Sequence, residues 1–362
     1  MHHHGGGRKM RKVIMGNHAL SYGAMLSRVQ VIAAYPITPQ TQVVELLSEM
    51  CADNVLDAQF IKVESEHSAM AACLGASLAG ARTFTATASQ GLALMYEIIY
   101  IAASLRLPIV MAIGNRAFSA PINIHASHDD AYAARDSGWI NMFSENVQEA
   151  YDLTLQAFKI AEDERVLLPT IVNLDGFILT HSMEGLYVFD DSDVDKFLPP
   201  RKVINPVDPE NPITFGPLAL FDYYMEIKRQ QAEAMVNSLP VIKEVFKEFS
   251  EFSGREYDTV KTYGMDDAEA AVIVMGATAG TVRTVARQLR EKGKKVGVVS
   301  LHLYRPFPVE DLQKVLSGVK AVAVMDRSYS FGSPFAQLGM DVASTLVTMK
   351  NPPQMFNVIY GL

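Results

Sequence analysis

Cysteine is nearly absent: the 362 residues hold two, Cys51 and Cys73, each alone in a helical stretch. That excludes a disulfide framework, a C-x-x-C pair and any iron–sulfur or zinc ligand set made by this chain alone. An excess of basic charge is missing too. The 40 acidic residues outnumber the 32 Lys and Arg, for a net charge of −8, so the footprint of a nucleic-acid binder is not there. No run of about 18 or more apolar residues occurs, and the start of the chain has no apolar stretch of the secretory kind. Residues 2–7 read as an appended tag and are set aside. A soluble, cytoplasmic protein without a membrane partner is the expectation.

What is there is a globular composition, 49% apolar and 20% charged, long enough for roughly two domains of about 150 residues each. Short apolar runs alternate with helical segments through the first half: VQVIAAY from Val29, FIKV from Phe60, TFTATA from Thr83, PIVMAI from Pro108 and TIVNL from Thr170. Such near-continuous apolar runs suit parallel strands covered on both faces. The segments between them repeat apolar positions every three or four residues, as helices do. Five prolines between residues 198 and 215 mark a linker. A charged helical stretch is expected from about Pro217 to Phe252, interrupted at Pro240. The α/β rhythm then resumes with AAVIVMG, KVGVVSLH and KAVAVMD as strands and helices near 279–292, 309–316 and 334–349. The expected partition is an α/β unit over 12–198, a linker and helical arm over 199–255, and a smaller α/β unit over 256–362.

Ligands of open α/β sheets bind beyond the carboxyl ends of the strands, so polar turns there are the candidates. In YPITP (residues 35–39), Thr38 is a natural N-cap and Pro39 suits the first helical position. In ESEH (residues 64–67), Glu64 or Glu66 offsets a helix N-terminus, or an enclosed Glu66 shares a proton with a ligand nitrogen. In ASQG (residues 88–91), Ser89 can cap the next helix while Gly91 leaves room at the backbone. Arg116, after PIVMAI, is either a solvated surface arginine or a bidentate holder of a carboxylate. His125, His128, Asp129 and Asp130 match no closed zinc spacing. In the second unit, GATAG (residues 276–280) reads as a Gly-rich turn without the dinucleotide order, and DRS (residues 326–328) as a local cap.

Taken in order, YPITP, VESEHSAMAA, TFTATASQGLALM, PIVMAIGNRAFSAPINI, LYRPFP and DRSYSFG resemble the α subunits of the 2-oxoacid:ferredoxin oxidoreductases, the pyruvate-using branch most closely. The resemblance runs from about Lys12 to the end. It implies an α/β fold in which a thiamin-pyrimidine-binding domain with a mainly parallel sheet precedes a smaller transketolase-C-terminal-like domain. It also implies a thiamin diphosphate enzyme of anaerobic metabolism whose α chain holds the pyrimidine half of the cofactor. A β subunit would carry the diphosphate, Mg²⁺ and a [4Fe-4S] cluster, with γ and ferredoxin-like δ subunits completing the heteromultimer. By position, Glu66 matches the glutamate that hydrogen-bonds the pyrimidine N1′. Thr38 and Arg116 match the residues that hold the 2-oxoacid, and Tyr35, Pro36, Ser89 and Gln90 would line the cofactor site.

The implied reaction is decarboxylation of pyruvate, transfer of the acetyl group to coenzyme A and reduction of ferredoxin, reversible as carbon fixation. The resemblance also leads one to expect chain beyond Leu362. Other 2-oxoacids such as 2-oxoisovalerate remain open, as does the β subunit of a 2-oxoacid dehydrogenase, although YPITP and TASQG favour the ferredoxin class. A scaffold that has kept only the fold is the reading from outside enzymology.

Overall fold

The computed structural model describes residues 9–362; the tag-like residues 2–7 lie outside them. The chain begins β1 (Lys9–Met15), α1 (Gly16–Leu26), β2 (Val31–Ala34), α2 (Thr41–Ala52), β3 (Gln59–Lys62), α3 (Glu66–Leu78), β4 (Thr83–Thr87), α4 (Ser89–Ser104) and β5 (Val110–Asn115). There follow α5 (Asp129–Ala133), β6 (Ile140–Phe143), α6 (Val147–Glu162), β7 (Thr170–Asp175), β8 (Met183–Phe189) and α7 (Asp191–Phe197). After an irregular stretch, α8 (Tyr224–Ser253) leads into β9 (Val260–Tyr263), β10 (Ala270–Val274), α9 (Thr278–Glu291), β11 (Val296–Leu301) and β12 (Leu303–Arg305). The chain ends with α10 (Val309–Leu316), β13 (Ala321–Asp326), α11 (Gln337–Leu346) and β14 (Gln354–Ile359).

A seven-stranded sheet has the order β12-β6-β7-β5-β4-β2-β3, parallel throughout except for β12. Its central strands are buried along their whole length because helices cover both faces. Side-chain alternation in β5 divides the core between those faces. Val110 and Ala112 face α1, α2 and α6, whereas Met111 and Ile113 face α3 and α4. A five-stranded sheet, β14-β13-β10-β11-β9, is parallel but for β9. The ribbon β1–β8 is antiparallel. This is the mainly parallel α/β architecture expected, and no described helix is long and apolar enough to cross a membrane.

Three expectations about helices are corrected. The arm begins at Tyr224, not near Pro217, and runs unbroken through Pro240. Proline removes one N–H from the ladder, but Val241, Ile242, Val245, Phe246 and Phe249 on the same helix are buried in the main core, and that packing carries the helix through. Pro39 does not open α2. It lies in the turn before it, joined to Thr38 by a cis peptide, with Gln40 N–H bonded to Ile37 O at 2.8 Å; α2 starts at Thr41 without a side-chain cap. Ser89 does not cap α4 either, because its hydroxyl is turned toward the Ala117 carbonyl, 2.5 Å away.

His302, between β11 and β12, and Glu149 on α6 form a buried pair at 3.0 Å. Burial alone would lower the imidazole pKa, but the Glu149 carboxylate prevails and holds it above its ordinary value. The carboxyl, which burial alone would raise, is held below its ordinary value by His302. The imidazole's contribution is therefore complete below its unfolded value and lost as pH rises through the raised one; the carboxylate's is complete above its unfolded value and lost as pH falls through the lowered one. Thermal stability is expected to gain from the pair most between about pH 4.5 and 6.5, and His302→Gln should flatten that maximum in melting curves recorded across pH.

Candidate active site

Because the strands are parallel, the turns after β2, β3, β4, β5 and β7 emerge on one edge of the large sheet. Glu66 is the first residue of α3, behind an N-cap in which Ser65 Oγ accepts from the Ser68 N–H at 3.2 Å. The residue is 7% exposed, and its carboxylate has no hydrogen-bond partner among the described residues. Glu64 is exposed and bonded to Ser68, which leaves Glu66 as the enclosed acid. Gly91 lets α4 approach it: a Cβ there would lie 2.3 Å from Thr87 Oγ1 and 3.1 Å from Glu66 Oε1.

Arg116, after β5, is buried, at 9% exposure, not solvated. One Nη donates to the Thr38 carbonyl at 3.1 Å, and Nε has no partner. No described carboxylate pairs with the guanidinium. A buried cation without a carboxylate partner is costly, which makes Arg116 a candidate holder of an anion. Thr38 itself is exposed beside it. Thr87, Asn115, Gln40 and Asn17 add further buried polar atoms without partners along this edge.

The residue that joins the Ser89 and Arg116 turns is Asp130, which spacing alone left as an unmatched metal candidate. Its Oδ2 accepts from the backbone N–H groups of Ser89 and Arg116 at 3.0 and 2.9 Å, and its Oδ1 accepts from Asn115 Nδ2 and its neighbour's N–H at 2.9 and 2.8 Å. Burial pushes its carboxyl up to about 6, against those four donors. The clasp holds Ser89 at φ +46°, a left-handed conformation that costs a non-glycine residue about 1–3 kcal/mol. Gln90 is exposed, with its Oε1 2.6 Å from Ser89 Oγ. Tyr35 and Pro36 are also exposed, and line a cavity of about 430 Å³ with Glu45 and Lys62. No hydrogen bond among the described residues links either to Glu66 or Arg116.

His125 and Asp129 join no metal-ligating group: among the described residues no three His, Cys, Asp or Glu side chains are set for one. Asp129 accepts from Ser328 Oγ at 2.6 Å. DRS is not a local cap: Asp326 accepts from the Leu338 and Gly339 N–H groups in the first turn of α11, 12 and 13 residues further on, while the N-cap of that helix is Ala336. A cavity of about 590 Å³ beside Arg28, Arg82 and Arg201 lies at the opposite edge of the sheet and takes no part in this cluster.

The donor set fits the pyrimidine half of thiamin diphosphate, with a buried free carboxylate, a backbone cleared by Gly91 and a free guanidinium nearby. Fold and site together suit a subunit that binds the pyrimidine end of thiamin diphosphate. The family "Pyruvate flavodoxin/ferredoxin oxidoreductase, thiamine diP-bdg" matches residues 22–247, and "Pyruvate:ferredoxin oxidoreductase core domain II" matches 268–362. Pyruvate synthase subunit PorA of Thermotoga maritima is 50% identical over 97% of this chain and 90% of its own length. The PorA of Methanocaldococcus jannaschii is 48% identical over 97% and 90%. Ketoisovalerate oxidoreductase subunit VorA of Pyrococcus abyssi is 44% identical over 98% and 90%.

The fold is also found among solved structures. A 2-oxoglutarate:ferredoxin oxidoreductase from Magnetococcus marinus superposes with a TM-score of 0.76 at 21% identity, over 97% of this chain and 63% of that one. A split-gene transketolase gives 0.56 at 14%, over 97% and 91%. The chain belongs to the 2-oxoacid:ferredoxin oxidoreductase family, as an α subunit.

Proposed function

We propose that the chain is the α subunit of a pyruvate synthase, which with coenzyme A converts pyruvate to acetyl-CoA and CO₂ and passes two electrons to ferredoxin, reversibly. The observation that carries the substrate reading is Arg116, a buried guanidinium that lacks an anion and is fixed against the Thr38 backbone. The PorA relatives support pyruvate among the 2-oxoacids, and the VorA relative keeps 2-oxoisovalerate as the second reading.

Bound thiamin diphosphate would supply the carbanion chemistry by which a 2-oxoacid loses CO₂. Glu66 would hold a proton against the pyrimidine N1′, its burial keeping water from competing. Arg116 would bind the 2-oxoacid carboxylate and the Thr38 hydroxyl the ketone oxygen, orienting the scissile bond. Ser89 and Gln90 would line the pyrimidine site through the backbone set by Asp130, with Tyr35 and Pro36 at its outer rim.

The diphosphate, Mg²⁺ and [4Fe-4S] clusters belong, in this reading, to β, γ and δ partners in the cytoplasm. The chain's own thiols suit that division of labour: Cys73 is fully buried and pushed up to about 12 by burial, so it is a core side chain and not a metal ligand.

The test is the assembled complex assayed by viologen reduction on pyruvate, 2-oxoisovalerate and 2-oxoglutarate. Pyruvate should have the highest kcat/KM; a preference for 2-oxoisovalerate would replace this reading with the second. Arg116→Ala should raise the KM for pyruvate roughly 10- to 100-fold, the worth of a charged hydrogen bond. An unchanged KM would place the carboxylate elsewhere.

A further inference from the structure

In the five-stranded sheet, β10 and β13 are neighbours whose connections depart in opposite directions, α9 toward β11 and α11 toward β14. The crevice between the carboxyl ends of two such strands is where open α/β sheets take ligands. Here it is filled from within the chain. Asp175, the last residue of β7, places Oδ2 2.7 Å from the Ala277 N–H at the start of α9 and accepts from His128 Nε2 through Oδ1 at 2.7 Å. Gly276, at φ +78°, gives the carboxylate its seat, since a Cβ there would lie 2.4 Å from Oδ2. The Arg327 carbonyl, at the end of β13, accepts the His128 N–H at 3.0 Å.

The other side of Asp175 faces the substrate turn. Gly176 N–H bonds the Asn115 carbonyl at 3.1 Å, directly before Arg116. A Cβ on Gly176 would lie 2.9 Å from Pro39 Cγ, so the turn that carries Thr38 rests on that glycine. A second route runs from the Asp175 carbonyl through Leu179 and Thr180 to the backbone of Gly16 and Asn17, and Asn17 Nδ2 donates to the Pro39 carbonyl at 2.7 Å.

We propose that Asp175 is a positioning residue, through which the C-terminal sheet fixes the Thr38–Pro39 turn and Arg116 in the geometry that holds the 2-oxoacid. This rests on the assignment of Thr38 and Arg116 to the substrate. The second unit then takes part in substrate recognition without touching substrate, and its ligand crevice is spent on an internal carboxylate.

The test compares Asp175→Asn, Gly276→Ala and Arg116→Ala in the assembled complex, by steady-state kinetics on pyruvate and by hydrogen exchange of residues 36–40 and 276–280. Asp175→Asn should raise KM about tenfold while kcat stays within about threefold, with faster exchange at 36–40 as well as at 276–280. Gly276→Ala, made in the other unit, should reproduce both effects; it also serves if Asp175→Asn does not assemble. A merely structural role would lower the amount of active complex and leave KM per site alone. Faster exchange at 276–280 with KM and 36–40 unchanged would overturn the proposal. If Arg116→Ala leaves KM unmoved, the substrate assignment fails, and the exchange at 36–40 alone upholds or overturns the coupling.

Discussion

Replacing Glu66 by Gln in the assembled complex is expected to lower pyruvate-dependent viologen reduction by at least about a hundredfold, the usual worth of a positioned proton carrier. The substitution keeps the volume and the hydrogen-bonding shape, so α3, its Ser65 cap and the contact with Gly91 should survive. What it removes is a carboxyl able to give and take a proton in a buried place with no partner among the described residues. Thiamin diphosphate affinity, measured by calorimetry, should fall less than activity, because an amide still bonds the ring. Activity unchanged by Glu66→Gln would favour the scaffold reading over catalysis at this site.

The largest effect on stability is expected from Arg82→Ala. The Arg82 guanidinium, 4% exposed, grips Glu162 through both carboxylate oxygens at 2.7 Å and donates to the carbonyls of Ser27 and Pro199. It thereby ties the ends of α1 and α6 to the start of the irregular strap. Removing it leaves a carboxylate with only 9% side-chain exposure unpaired, at a cost of about 3–5 kcal/mol. Trp139, the only tryptophan, is buried with its Nε1 on the Ile99 carbonyl, so its fluorescence during urea unfolding reports on this part of the chain. The double variant Arg82→Ala/Glu162→Gln should recover part of the loss, since it removes the stranded charge; a double variant no better than the single would mean that the carbonyl contacts dominate.

Strands β2, β4, β5 and β7 were legible because strands covered on both faces must be apolar nearly throughout. Strand β6, INMF, was not: Asn141 interrupts the run, and only the structure shows its Nδ2 bonded to the Ala131 carbonyl. Neither was β12, three residues whose place depends on a partner strand some 160 positions earlier. The turns that carry Ser89 and Arg116 were found because polar residues after buried strands stand out; the turn of Glu66 follows β3, an edge strand that is largely exposed and not covered on both faces as its apolar run suggested. Asp130 was missed as the common acceptor of the Ser89 and Arg116 turns because three of its four donors come from elsewhere in the chain, and spacing offers no sign of them. Thr38 was read as a cap from residue type, whereas its place is set by the turn that seats Pro39 on Gly114 and Gly176.

The antiparallel strand β12 has a consequence for dividing the molecule. An uncovered β6 would present a free sheet edge, and free edges recruit strands from other chains. Leu303–Arg305 closes that edge although it lies beyond the strap and the long helix α8. A fragment ended within the strap would thus keep most of its core yet gain a sticky margin, making self-association the penalty for separating the halves.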